Sequence, residues 1–96
     1  MRGFVKHKEI ITKEGRLIGE EMEDVLRDAN NIVGYMEKLT KKKLDDYTVG
    51  YSVFYYKNCR VGEVYKEESE EDGITYYLIT EVISNNKFYC YSVYSK

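Results

Sequence analysis

The chain has 96 residues, 43% of them hydrophobic and 33% charged, with a formal net charge of −2. That length makes one domain, residues 1–96, because two halves would each hold too small a core. The slight acidic balance argues against a general coat for DNA or RNA, which needs a basic excess. No apolar run approaches the ~20 residues that cross a bilayer as a helix.

Residues 4–12, "FVKHKEIIT", are rich in strand formers and alternate loosely, which predicts a first strand. "KEGR" at 13–16 follows as a turn, with Gly15 where positive φ is expected, and "LIG" at 17–19 as a short returning strand. A helix is predicted from Glu20 to Lys43. Met22, Val25, Ala29, Ile32, Val33, Met36 and Leu39 recur there at spacings of three and four and form one apolar stripe. Glu20, Glu21, Glu23 and Asp24 at its start, and Lys38, Lys41, Lys42 and Lys43 at its end, suit the helix dipole.

Beyond "LDDY" the pattern changes to strands. Residues 48–57 and 61–67 flank Asn58-Cys59, and residues 74–83 and 87–95 flank Asn85-Asn86. Asparagine tolerates the left-handed region, so each pair reads as a hairpin. The acidic stretch "EESEEDG" at 67–73 joins the two. The predicted class is α+β. One amphipathic helix packs on an antiparallel sheet with a C-terminal four-stranded meander of two hairpins, preceded by an N-terminal strand or hairpin.

A turn at Asn58-Cys59 puts Tyr51, Val53, Tyr55, Lys57, Arg60, Val64 and Lys66 on one face of the first hairpin. Phe54, Tyr56, Val61, Glu63 and Tyr65 take the other face. The second hairpin also divides its aromatic residues between faces, whereas one helix covers only one. The second face is therefore expected to be covered by the N-terminal strand or a second copy, or to remain as an aromatic patch for a partner. Tyr51, Tyr55, Lys57, Arg60 and Lys66 form the expected partner- or ligand-binding cluster, since it combines rings and cations without an acid. Glu67, Glu68, Glu70, Glu71 and Asp72 form a second candidate contact, an acidic prong imitating phosphates. Part of the tyrosine content needs no function, because tyrosine suits strands and pairs well across them.

Groups that carry chemistry are few. His7 is the only histidine, Cys59 and Cys90 form no CxxC, and no glycine loop has the spacing that cradles phosphates. The expectation is a protein that is not an enzyme and holds no metal or cofactor, with both cysteines as reduced thiols. "MRGFVKHKEII" lacks the apolar core and cleavage site of a signal peptide, so a cytoplasmic location in a bacterial or archaeal host is expected. With 11 tyrosines, one alanine and no proline or tryptophan, the composition is that of an AT-rich genome, as in low-GC bacteria, their phages and plasmids and some archaeal viruses, and a phage or mobile element is the expected source.

These features together suggest a small binding protein that inhibits or modulates a host protein, in a nucleic-acid-handling or anti-phage defence complex. In that general character, though in no motif, it resembles anti-CRISPR and related anti-defence proteins. The alternative is an oligomeric protein that sequesters a nucleotide or cyclic nucleotide between tyrosines and basic residues. A homo-oligomer through the exposed sheet face is a further expected assembly. Single-stranded nucleic-acid binding and an unrecognised enzyme are disfavoured, the former by net charge.

Overall fold

The computed structural model describes residues 7–71 and 73–95; residues 4–6 of the predicted first strand lie outside them. Along the chain come β1 (His7–Ile10), α1 (Gly19–Leu26), α2 (Ala29–Thr40), β2 (Tyr47–Tyr55), β3 (Val64–Ser69), β4 (Gly73–Ser84) and β5 (Lys87–Ser95). The five strands form one sheet in the order β1-β3-β4-β5-β2, with every neighbouring pair antiparallel. Two helices on an antiparallel sheet make this an α+β domain, as the sequence predicts.

The single predicted helix is two. Asp28 has an extended backbone, φ −151° and ψ 140°, and its carboxylate accepts a hydrogen bond from the Asn30 amide at 2.7 Å. An aspartate in that role starts a new helix, because it satisfies an amide the first turn leaves open. Asn31 closes the break from the other side by donating its Nδ2 to the Asp24 carbonyl at 2.8 Å. The apolar stripe nevertheless survives. Met22, Ile32, Val33 and Met36 are buried, and Val25 and Leu39 pack against them, while Ala29 is exposed at the start of α2. With Leu17, Leu44, Val64, Tyr76, Leu78 and Val93 they form the core between the helices and one sheet face.

"KEGR" turns as expected, Gly15 donating to the Thr12 carbonyl at 3.1 Å, but without positive φ at Gly15. Residues 17–19 form no strand. Leu17 donates to the Gly62 carbonyl at 3.0 Å, and Gly19 opens α1.

The larger correction concerns the first hairpin. β2 does not pair with β3; it lies at the sheet edge beside β5, in the register Tyr47↔Ser95 to Tyr55↔Lys87. Asn58 does adopt the left-handed conformation, φ 54°, but the chain does not reverse there. Residues 56–63 instead cross the sheet to reach β3, with Asn58 donating to Asn85 O at 3.3 Å and Gly62 to Ile79 O at 2.8 Å. The meander is therefore the three strands β3-β4-β5, with β1 and β2 added at its edges. The second predicted hairpin forms, Ser84 opposite Lys87, with irregularities in β4 between Ile79 and Glu81 and between Val82 and Ser84.

That crossing segment covers the second sheet face. Phe54, Cys59, Tyr65, Ile79, Phe88 and Cys90 form a second buried cluster, with Ile10, Tyr56 and Tyr77 packed against it. The rings of Phe54 and Tyr77 lie 4.6 Å apart, and those of Phe54 and Tyr65 5.4 Å. Lys8, on edge strand β1, reaches over this cluster. Its ammonium donates to the Tyr55 carbonyl at the end of the opposite edge strand, 3.0 Å away, and sits 5.5 Å from the Phe54 ring centroid. The sheet therefore curls around this face, and most aromatic residues not facing the helices are core.

Candidate functional site

The helices cover only part of their own face. Directly opposed residues on antiparallel strands share a face, so the row Tyr51–Tyr91–Leu78–Val64 runs across it from β2 to β3. Val64 and Leu78 are fully buried beneath the helices, whereas Tyr51 is 54% exposed. The neighbouring row, Val53–Tyr89–Glu81, and the terminal pair Tyr55–Lys87 lie further out still. Tyr55 is 61% and Tyr89 37% exposed, and Val82 and Ile83 are exposed at the same end of the sheet.

Tyr51, Tyr89 and Tyr91 are ordered by one another. The Tyr51 ring stacks on Tyr89 at 5.7 Å and meets Tyr91 edge-on at 4.8 Å, and its hydroxyl lies 3.1 Å from Thr80 Oγ1. Rings held this way lose little further side-chain entropy on contact with a partner, and each offers a hydroxyl that water satisfies when the partner is away. Glu81 and Lys87 rim the patch with one charge of each sign.

Of the five residues expected to cluster, Tyr51 and Tyr55 lie in this patch, and Lys57 follows β2, exposed, at the same end. Arg60 and Lys66 lie elsewhere. Arg60 is in the crossing segment, paired with Glu63 (Nε to Oε2, 3.7 Å). Lys66 is on β3, three strand spacings or roughly 14 Å from β2, beside Leu39, Thr40 and Tyr76 and paired with Glu68 at 3.3 Å. Tyr89, Thr80, Glu81 and Lys87 belong to the patch instead. Alternation in the sequence puts Thr80, Lys87 and Tyr89 on one face, but only the β2–β5 pairing sets them beside Tyr51, and the irregularity in β4 between Ile79 and Glu81 brings Glu81 to the same face.

The acidic stretch is also divided. Glu67 and Glu68 belong to β3; Glu67 accepts from the Tyr77 hydroxyl at 2.9 Å and faces Lys8 at 3.6 Å. Glu70 and Glu71 are exposed at the β3–β4 turn, and Asp72 lies outside the described residues.

Neither cysteine is set up as a nucleophile. Both are free and buried, and burial above all pushes both thiols up, so the thiolate is disfavoured. His7 alternates with Lys8 on β1, so it points to the face opposite the cluster holding Cys59. Among the described residues no group of three His, Cys, Asp or Glu side chains is placed to hold a metal ion, and no helix is long and apolar enough to cross a membrane. An open groove of about 510 Å³ runs between α1 and α2, lined by Glu21, Asp24, Asn31 and Lys38 and away from the tyrosine patch.

Compared with known protein families, with curated proteins and with solved structures, the chain matches none of them.

Proposed function

We propose that this chain is a small non-catalytic binding module that recognises another protein through the end of its sheet bearing Tyr51, Tyr55 and Tyr89. One observation carries the reading: all three rings stand exposed on the helix-bearing face, beyond the reach of the two helices, with Tyr51 and Tyr89 stacked on each other. Tyrosine is enriched where protein interfaces concentrate their binding energy, because it offers large area, few rotors and a polar tip. The AT-rich composition is compatible with a phage or mobile element, and on that reading the target is a host protein, such as a component of a nucleic-acid-handling or defence complex.

The test is capture of host proteins from a nuclease-treated lysate of a low-GC bacterium by the tagged chain. A Tyr55→Ser/Tyr89→Ser variant runs beside it. The captured protein, once purified, should bind the wild type and bind the variant at least tenfold more weakly, with the variant's far-UV circular dichroism unchanged. Binding that the variant retains in full would sink the assignment of this surface.

A further inference from the structure

Strand β2 reads Tyr-Thr-Val-Gly-Tyr-Ser-Val-Phe-Tyr over Tyr47–Tyr55, nine residues with no charge and no proline. It ends the strand order, and among the described residues no strand pairs with its outer edge. Protein sheets ordinarily protect such an edge with charges, proline or brevity. The opposite edge does so: among the described residues β1 (His7–Ile10) carries Lys8 and Glu9. β2 has none of these devices of its own; Lys8 reaches only the carbonyl of Tyr55, at its end.

The strand is also a palindrome on its helix-side face, where Tyr47, Val49, Tyr51, Val53 and Tyr55 alternate tyrosine and valine about Tyr51. If a second copy is laid antiparallel with the two-fold axis at Tyr51, Tyr47 meets Tyr55, Val49 meets Val53, and Tyr51 meets Tyr51. Gly50 meets Ser52, and Thr48 meets Phe54. All nine residues pair in this register, and any shift to another register that keeps the faces matched leaves at least two of each strand unpaired. Charge agrees just beyond the strand. The antiparallel arrangement brings the end of one copy that carries exposed Lys57 to the end of the other that carries exposed Asp45, at both ends. Each chain carries a net charge of −2, yet the strip brought together is neutral and flanked by opposite signs.

We infer that the β2 edge pairs with the β2 edge of a second copy, joining two five-stranded sheets into one of ten strands around a two-fold axis. Such an isologous contact closes on itself, since each chain uses its one unprotected edge. It leaves the outward side of Tyr51, Tyr55 and Tyr89 open and joins the two tyrosine patches into one strip. The inference does not depend on what the patch binds.

Sedimentation equilibrium of the full chain tests it. The mass should rise with concentration from 11.4 kDa to twice that and stop there. A single-chain mass at every concentration, or growth beyond two chains, overturns the proposal. The register is tested by Tyr51→Cys, which should form a disulfide dimer on mild oxidation, because directly opposed Cα atoms lie within disulfide reach. Val53→Cys alone should not, being opposite Val49; crosslinking at 53 as readily as at 51 overturns the register. Lys57→Glu should weaken the dimer at least threefold, and adding Asp45→Lys should restore it, which a loss of folding would not allow. A chain that dimerises but captures no host protein leaves this inference standing and refutes only the proposed function; a monomer that binds its partner does the reverse.

Discussion

Gly62 sits where the crossing segment meets the rest of the fold, and replacing it with alanine should damage the protein more than any other glycine substitution considered below. Its φ is +90°, and a Cβ there would overlap the carbonyl oxygen of Leu17, with the Leu17 carbonyl carbon at 3.0 Å and amide nitrogen at 3.2 Å. These are backbone atoms, so no side-chain rotation relieves the overlap. A non-glycine residue in the left-handed region costs roughly 1–2 kcal/mol. Moving the segment away would also break the hydrogen bonds Leu17 N to Gly62 O (3.0 Å) and Gly62 N to Ile79 O (2.8 Å). At roughly 0.5–1.5 kcal/mol each, the total comes to about 2–5 kcal/mol. Gly19 is the control, because it also has positive φ, +59°, but nothing lies within 4 Å of an added Cβ. Gly19→Ala should therefore cost only the conformational part, about 1–2 kcal/mol. Urea titration followed by circular dichroism at 222 nm measures both. A Gly62→Ala loss no larger than that of Gly19→Ala would falsify the close-approach explanation.

Other outcomes follow from contacts elsewhere in the fold. Asp28→Ala removes the carboxylate that starts α2 and should cost about 1 kcal/mol in the same titration. Lys8→Met keeps the apolar stem but loses the bond to Tyr55 O and the cation over Phe54 and Tyr56; a loss of about 1–2 kcal/mol is expected. Gly34, on an open stretch of α2, should gain up to about 1 kcal/mol on substitution by alanine. Burial, with help from Glu63 and Glu67, raises the hydroxyls of Tyr65 and Tyr77, so the folded state holds those protons more tightly than the unfolded state. Stability should be full below the ordinary tyrosine value of about 10 and fall as pH rises past it. Absorbance at 295 nm and circular dichroism, recorded together, should show these groups ionising with unfolding; ionisation before any loss of structure would refute the assignment.

The alternation of residues in β2 and β3 was legible because side chains on a strand must alternate. Tyr51, Tyr55, Val64 and Lys66 do share one face, and Phe54 and Tyr65 the other. What alternation leaves open is which strand lies next to which. The Asn58-Cys59 pair permits a reversal, and Asn58 even takes the conformation a hairpin would use. Yet β2 gains more beside β5, where nine residue pairs form, Tyr51 packs on Tyr89 and Tyr91, and Phe54 enters the second core. That preference rests on pairs from Tyr55↔Lys87 to Tyr47↔Ser95, 32 to 48 residues apart in the chain, which no local pattern encodes. The helix break at Asp28 was a different kind of miss. The cap was present in the sequence, but a continuous apolar stripe across both helices concealed it.

By itself, then, the sequence determined the class, the apolar stripe, the surplus of tyrosine and the face parity of the strands up to the irregularities after Ile79 in β4, where Glu81 and Val82 change sides. Tertiary structure alone decided the strand order. It thereby decided that most rings on the far face are core beneath residues 56–63, that Arg60 and Lys66 stand away from Tyr51, and that an uncharged strand lies at the sheet edge. The reason is that neighbour choice is settled by burial summed over the whole sheet, and a two-residue turn signal is worth too little to oppose it.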